Sequence, residues 1–273
     1  MRWRTARVVM EKDIREIGTS WQFWLPTIIV PLLMCSILPL AFILIIGSFN
    51  MSPGDQEEMI KMIARMPQTL KAPLEGMTLP QMGVHFMLNQ FMAPMFLIVP
   101  VMVSSVVAAS GIAGERERRT IESLFYTPVT DEELYAGKIL AAFVPSMVVS
   151  AASFLLATLT INLAGYRLFG RVFFPSLTWI LVFVLLVPPI AFLALAFTVM
   201  VSARAKGFQE AQQMGALLVL PVMLILIGQM TGIFFLDQRT IPILAVVLYI
   251  LSFVLVRLGA KTINRERIVT QGR

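Results

Sequence analysis

An all-α polytopic membrane protein with six spans is the fold class that three observations predict. First, apolar residues make up 58% of the 273 residues and charged residues only 14%, against roughly 25% charged in globular domains. A soluble core of this size has no room for so much Leu, Val, Ile, Met and Phe. Second, six runs, at 22–48, 84–113, 139–165, 174–201, 212–236 and 240–256, contain no Asp, Glu, Lys or Arg. A bilayer core about 30 Å thick takes roughly 20 helical residues to cross; the first five runs reach that length and the sixth is the shortest. Third, placing the N-terminus in the cytoplasm puts 16 of the 22 Lys and Arg on that side, in 1–21, 114–138, 202–211 and 257–273. The remaining 6 fall in 49–83, 166–173 and 237–239. Basic residues are retained on the cytoplasmic side, so both termini are expected inside a cell membrane and the number of spans is even.

The net charge of +6 is then a topology signal, and no nucleic-acid partner is expected. The first 20 residues are polar and basic, and the first apolar run is too long for a cleaved leader. Trp3, Met10, Ile14 and Ile17 share one helical face, with Arg4, Glu11, Lys12 and Arg15 turned away. An amphipathic helix over 1–21 is expected to lie in the interface, in contact with lipid headgroups; a plain basic anchor is the alternative. The segment 49–83 is expected to be an external loop rich in Pro and Gly, with one short helix at about 55–66. Asp237-Gln238-Arg239 reads as a tight turn between the last two spans, and 257–273 as a cytoplasmic tail. The whole chain forms one permease-like membrane domain.

Proline recurs inside the apolar runs, at Pro26, Pro31, Pro39, Pro94, Pro100, Pro145, Pro188, Pro189 and Pro221. Each removes a backbone donor and bends its helix. The in-span polar residues are few. Asn89, Gln90 and Gln229 are candidates to line a pathway or to bond across helices, and Asn162 lies near the end of the third run. The methionines at 82, 87, 92, 95 and 102 and at 214, 223 and 230 suit adaptable apolar surfaces, for packing or for a hydrophobic cargo.

No catalytic residue is expected. The spans hold no ionisable pair for intramembrane hydrolysis or proton relay. His85 is the one histidine and Cys35 the one cysteine, which leaves no zinc cluster and no intrachain disulfide. The string Gly-x-x-x-x-Gly-Lys-Ser/Thr is missing; Gly137-Lys138 lacks the preceding residues. The chain is therefore not an ATP-hydrolysing enzyme by itself.

The densest charge lies between the second and third runs. Ten of the 24 residues in 115–138 are charged, which calls for water or a soluble partner. Residues 115–126 form helix well, and Pro128 ends that helix by disfavouring the helical conformation at Thr127. Thr130 and Glu133 have capping-box spacing, so a second helix begins there and runs into the third span. The product is a short exposed helix held between two membrane helices, with Ile121, Leu124 and Phe125 as an apolar edge and Glu115, Arg118, Arg119 and Glu122 as polar contacts. A loop stabilised only by its own ion pairs is the plainer alternative.

The run Gly-Glu-Arg-Glu-x-x-Thr-Ile-Glu-Ser-Leu-x-x-Thr-Pro-Val-Thr-x-x-Glu-Leu-x-x-Gly-Lys from Gly114 to Lys138 resembles the signature loop of type-2 ABC (ATP-binding-cassette) exporter permeases. The six-span layout and the N-terminal helix fit the same family along the whole chain. Arg119 departs from it, since many members carry glycine there. The resemblance implies that the loop is a coupling helix docked on a separate ATPase subunit. Glu115, Arg116, Glu117, Arg119, Thr120, Glu122 and Leu124 would make those contacts or orient the helix. It further implies export driven by a partner that binds ATP and Mg, with no cofactor in this chain, and a second permease copy or homologous half. Ser202-Ala-Arg-Ala-Lys-Gly-Phe-Gln-Glu210-Ala-Gln-Gln213 resembles the second cytoplasmic loop of the sodium-export-like branch, although the long outer domain of that branch is missing. The rival function is a membrane scaffold or sensor that docks a soluble protein without transport.

Overall fold

A computed structural model describes residues 3–19, 21–48, 53–64, 68–117, 130–202, 205 and 207–262. Among them every regular element is a helix, and six helices are long and apolar enough to cross a membrane: Thr27–Ile46, Leu79–Ala109, Glu133–Phe169, Leu177–Ser202, Phe208–Met230 and Thr240–Gly259. Each falls on one of the six charge-poor runs, because only a helix satisfies its own backbone in hydrocarbon. Span two is the central helix and the most deeply buried, followed by span four. Span four packs on spans two and six, and span three packs on span two. Phe96, Phe154, Phe174, Trp179 and Phe183 interlock spans two, three and four, and the Trp179 indole donates to the Leu88 carbonyl at 3.1 Å.

Prolines explain most of the places where the helices break step; the π-turn at Ser110–Gly114 has none beside it. Three spans widen into π-turns at Leu33–Ile37, Leu88–Met92 and Val182–Leu186. Each is closed by an N–H that reaches back five residues: Leu38 to Leu33, Ala93 to Leu88 and Val187 to Val182. The next residue is in every case a proline, Pro39, Pro94 or Pro188. The ring would clash with the carbonyl four residues back and cannot donate to it; the extra residue in the turn absorbs the misfit. Pro100 and Pro221 act similarly on the helix breaks at Leu97 and Leu217. Pro145 sits within an unbroken helix.

Span three begins at its expected cap and overruns the apolar run at its end, and span five falls short of its run. Span three is part of a single helix, Asp131–Phe169, of 39 residues. At 1.5 Å per residue it is about 58 Å long, nearly twice the hydrocarbon thickness, so it carries its capped start well beyond the apolar layer. It ends at Gly170, whose φ of 64° is the left-handed cap that glycine adopts without strain. Span five stops at Met230, short of the apolar run. Gly232 reverses the chain at φ 74°, and Phe234 folds back over Gly228, where a Cβ would come within 2.4 Å of its ring. The turn at 237–239 then caps the last helix: Asp237 accepts from the Arg239 and Thr240 N–H groups at 2.9 and 2.8 Å.

The segment after span one holds the helix Pro53–Ala64. Span five starts against spans two and four at Gly215. A Cβ there would lie 2.6 Å from Thr198 Oγ1 and 3.1 Å from Ser105 Cβ, so glycine sets how closely these helices approach.

Candidate coupling site

The N-terminal helix Trp3–Gly18 packs along the extended start of the Asp131–Phe169 helix. Its buried stripe is Val9, Asp13 and Ile17, spaced four residues apart, with Met10 and Ile14 half-buried beside it. Trp3 is exposed. The expected apolar face is thus shifted by one row, and Lys12, expected to point away, stays half exposed while its ammonium reaches across to Glu115. The reason is electrostatic: an acid at Asp13 on the packed stripe and a charge at Glu115 at the end of span two both need cations.

Glu115 opens the short helix Glu115–Glu117 directly after a π-turn over Ser110–Gly114. It is 3% exposed. One carboxylate oxygen accepts from Lys12 at 2.7 Å and the other from Lys138 at 2.7 Å. Lys138, 6% exposed, also donates to the Gly111 carbonyl within the π-turn and lies 3.5 Å from Asp13. Lys12 lies 3.3 Å from both Asp13 and Glu16. Two ammoniums and three carboxylates therefore join the N-terminal helix, the end of span two and the start of the third-span helix. The two pairs made by Glu115 are long-range, 103 and 23 residues apart in sequence.

Burial shifts two of these groups. It pushes the Asp13 carboxyl up; Lys138 and Lys12 pull it down, Glu115 adds to the rise, and the net direction is upward. Burial lowers Lys12, but the hydrogen bond and charge of Glu115, with Asp13 and Glu16, outweigh it and hold the ammonium above its ordinary range. The oxygens of Asp13, Glu16 and Glu115 converge closely enough for a metal ion. The ammoniums of Lys12 and Lys138 already sit on the same oxygens, so the donor set is that of an ion-pair cluster.

Glu117 points the other way and is exposed. Its carboxylate accepts the Phe208 N–H at 3.0 Å, at the first residue of the helix Phe208–Ala216 that begins span five. Residues 115–117 thus hold three elements at once. Of Arg116 only the backbone is described, and Arg119, Thr120, Glu122 and Leu124 lie outside the described residues. Where the chain resumes, Thr130 accepts the Glu133 N–H and Glu133 accepts the Thr130 N–H, both at 3.3 Å. This reciprocal cap satisfies two helix-end donors, and Glu133 is buried beneath it.

The polar residues within the spans are placed away from this cluster. Gln90 and Gln229 are 3% and 4% exposed, and their amides meet at 3.0 Å between spans two and five. Asn89 donates to the His85 carbonyl at 2.8 Å and accepts from the Ser176 hydroxyl. Asn162 accepts from the Phe173 and Phe174 N–H groups at 3.1 and 3.2 Å and donates to the Phe174 carbonyl at 2.6 Å, so it closes the turn between spans three and four. Of the methionines, Met92 is buried, whereas Met214, Met223 and Met230 are exposed on span five.

A family model described as ABC-2 family transporter protein matches residues 7–244. The chain belongs to the ABC-2 transporter family. The match takes in most of the N-terminal helix, the charged segment, the first five spans and the opening residues of the sixth, so this ABC-2 protein is a transmembrane permease. It does not single out the sodium-export-like branch. No curated protein and no solved structure matches the chain. Sequence reasoning found the Thr130–Glu133 cap; it expected Glu115 as a polar contact on an exposed helix, whereas Glu115 is buried because two ammoniums hold it, and it missed the partners Lys12, Asp13, Lys138 and Phe208. The available signal was Asp13, a charged residue between Val9 and Ile17 on one helical stripe.

Proposed function

We propose that this ABC-2 permease is the membrane half of an exporter driven by a separate ATPase subunit. The observation that carries this reading is the buried Glu115–Lys138 pair, 2.7 Å long, which joins the two ends of the charged segment 115–138. A segment tied at both ends can move only with the helices it is tied to. Force applied to its outer residues is therefore delivered to spans two and three and to the N-terminal helix.

Arg116, Arg119, Thr120, Glu122 and Leu124 make the docking contacts, while Glu115 orients the segment from inside and Glu117 from its exposed side. The partner binds ATP and Mg; this chain's residues supply mechanical linkage and no nucleotide contact. The permease works as a dimer with a second copy or homologous half, in the plasma membrane, with both termini cytoplasmic. Its N-terminal helix lies at headgroup level. Transport requires that ATP favour one permease state over another, since a ligand shifts an equilibrium only by its differential affinity for the two states.

Co-purification and reconstitution test the reading. The chain is expected to bring down an ATPase subunit, and Glu122→Lys or Arg119→Glu is expected to lower its retention and nucleotide-driven transport at least tenfold. Recovery of a soluble partner without ATPase activity would favour the scaffold reading. Charge reversals at 119 and 122 that leave assembly and transport intact would rule out the coupling role.

A further inference from the structure

The carboxylates of Glu115 and Glu117 are two residues apart and are used in opposite ways. Glu115 is buried and held by two ammoniums at 2.7 Å. Glu117 is exposed and makes one described bond, to the Phe208 N–H at 3.0 Å. That N–H is one of the unpaired donors at a helix start, and the helix it opens leads into span five. A carboxylate at this end also meets the positive end of the helix dipole. Helices normally find such a cap in their own preceding residue. Here that residue is Gly207, which has no side chain, and its extended backbone places Phe208 toward Glu117. A Cβ at 207 would lie 3.1 Å from Glu117 Oε2. The missing side chain therefore makes room for a cap borrowed from 91 residues away.

We propose that Glu117 is the relay by which displacement of the coupling segment reaches span five. The proposal rests on the exporter reading and adds an internal receiver to it. The Glu115 arm is desolvated and keeps the segment fixed to the N-terminal helix and the base of span three. The Glu117 arm is open to water and replaceable by it, so it can release and rejoin as the segment tilts. Span five is the element best suited to respond. Its first helix is short, is broken from the rest at Leu217, and meets spans two and four through the close contact at Gly215.

The test uses the chain co-purified with its ATPase subunit in lipid nanodiscs. Amide hydrogen exchange is followed at 131–138 and at 208–216, with and without ATP plus orthovanadate. In the wild type, nucleotide is expected to change exchange in both segments. In Glu117→Ala, and independently in Gly207→Val, which crowds the carboxylate out from the other side, the change at 208–216 is expected to fall by half or more. The change at 131–138 is expected to persist. Glu117→Gln keeps an acceptor oxygen and is expected to recover most of the span-five response. A merely structural role would weaken both responses together in all three variants and would overturn the proposal. So would an undiminished response at 208–216 in Glu117→Ala. If the wild-type chain carries no ATPase subunit, the exporter reading fails and the relay with it. Unchanged Phe208 exchange in Glu117→Ala, measured on the chain alone, would overturn the relay while leaving the exporter reading standing.

Discussion

Glu115 and Lys138 stand at opposite ends of the charged segment, yet their side chains meet at 2.7 Å, both almost fully out of water. A buried ion pair contributes little net stability against apolar residues of the same size, because desolvation offsets attraction. Breaking one side of it is another matter, since a lone buried charge remains. The pair is better understood as a register device. It selects one arrangement of three helices by making the alternatives costly.

Glu115→Gln should therefore destabilise the protein by about 3 kcal/mol, the range seen when one partner of a buried pair is removed. Thermal unfolding of the purified permease would measure it. Adding Lys138→Met should restore part of the loss, because the buried ammonium is removed while Lys12 still pairs with Asp13 and Glu16. Equal Tm values for Glu115→Gln and the wild type would mean that the pair is not desolvated in the membrane.

Asp13 should behave in the opposite sense. Its folded-state pKa is raised, chiefly by burial, so the folded protein holds the proton more tightly than the unfolded chain. That contribution is complete below the unfolded value of about 3.9 and is lost as pH rises through the folded value. Asp13→Asn removes the loss. The variant's Tm relative to the wild type should rise with pH over the interval from that unfolded value up through the raised folded one. Lys12 has a raised pKa, so its contribution is complete below about 10.4 and persists across that whole interval without masking the effect.

Gln90 and Gln229 bond to each other between spans. Either single change to Leu strands an amide in an apolar setting and should cost roughly 1–2 kcal/mol. The double change should cost less than the sum, with a coupling of about 0.6 kcal/mol, as is common for interhelical bonds. A double-variant cycle on unfolding measures this. If the pair also lines a cargo path, the double variant should fold normally and transport poorly.

Gly215→Ala should cost roughly 1–3 kcal/mol by overpacking, since its Cβ would press on Thr198 Oγ1 and Ser105. Thr198→Ala should relieve most of this in the double variant. Among the described residues the Thr198 hydroxyl has no hydrogen-bond partner, so its removal leaves none of them unsatisfied. Melting temperatures of the two single variants and the double variant decide the matter.

The six spans were legible without coordinates, because hydrocarbon excludes charge and the chain writes that exclusion as uninterrupted apolar runs. The cap at Thr130 and Glu133 was legible for a different reason: its partners are three residues apart, within the reach of local geometry. Prolines announced where helices would be disturbed, but not that Pro39, Pro94 and Pro188 would be met by a widened turn while Pro145 would be absorbed. Neighbouring helices make that choice. The pairing of Glu115 with Lys12 and Lys138, and the loan of Glu117 to Phe208, left only unsigned hints, such as Asp13 on a packed stripe. Those bonds join residues up to 103 positions apart. Their energies depend on burial and on distances of a few ångströms, and neither exists until the helices have packed.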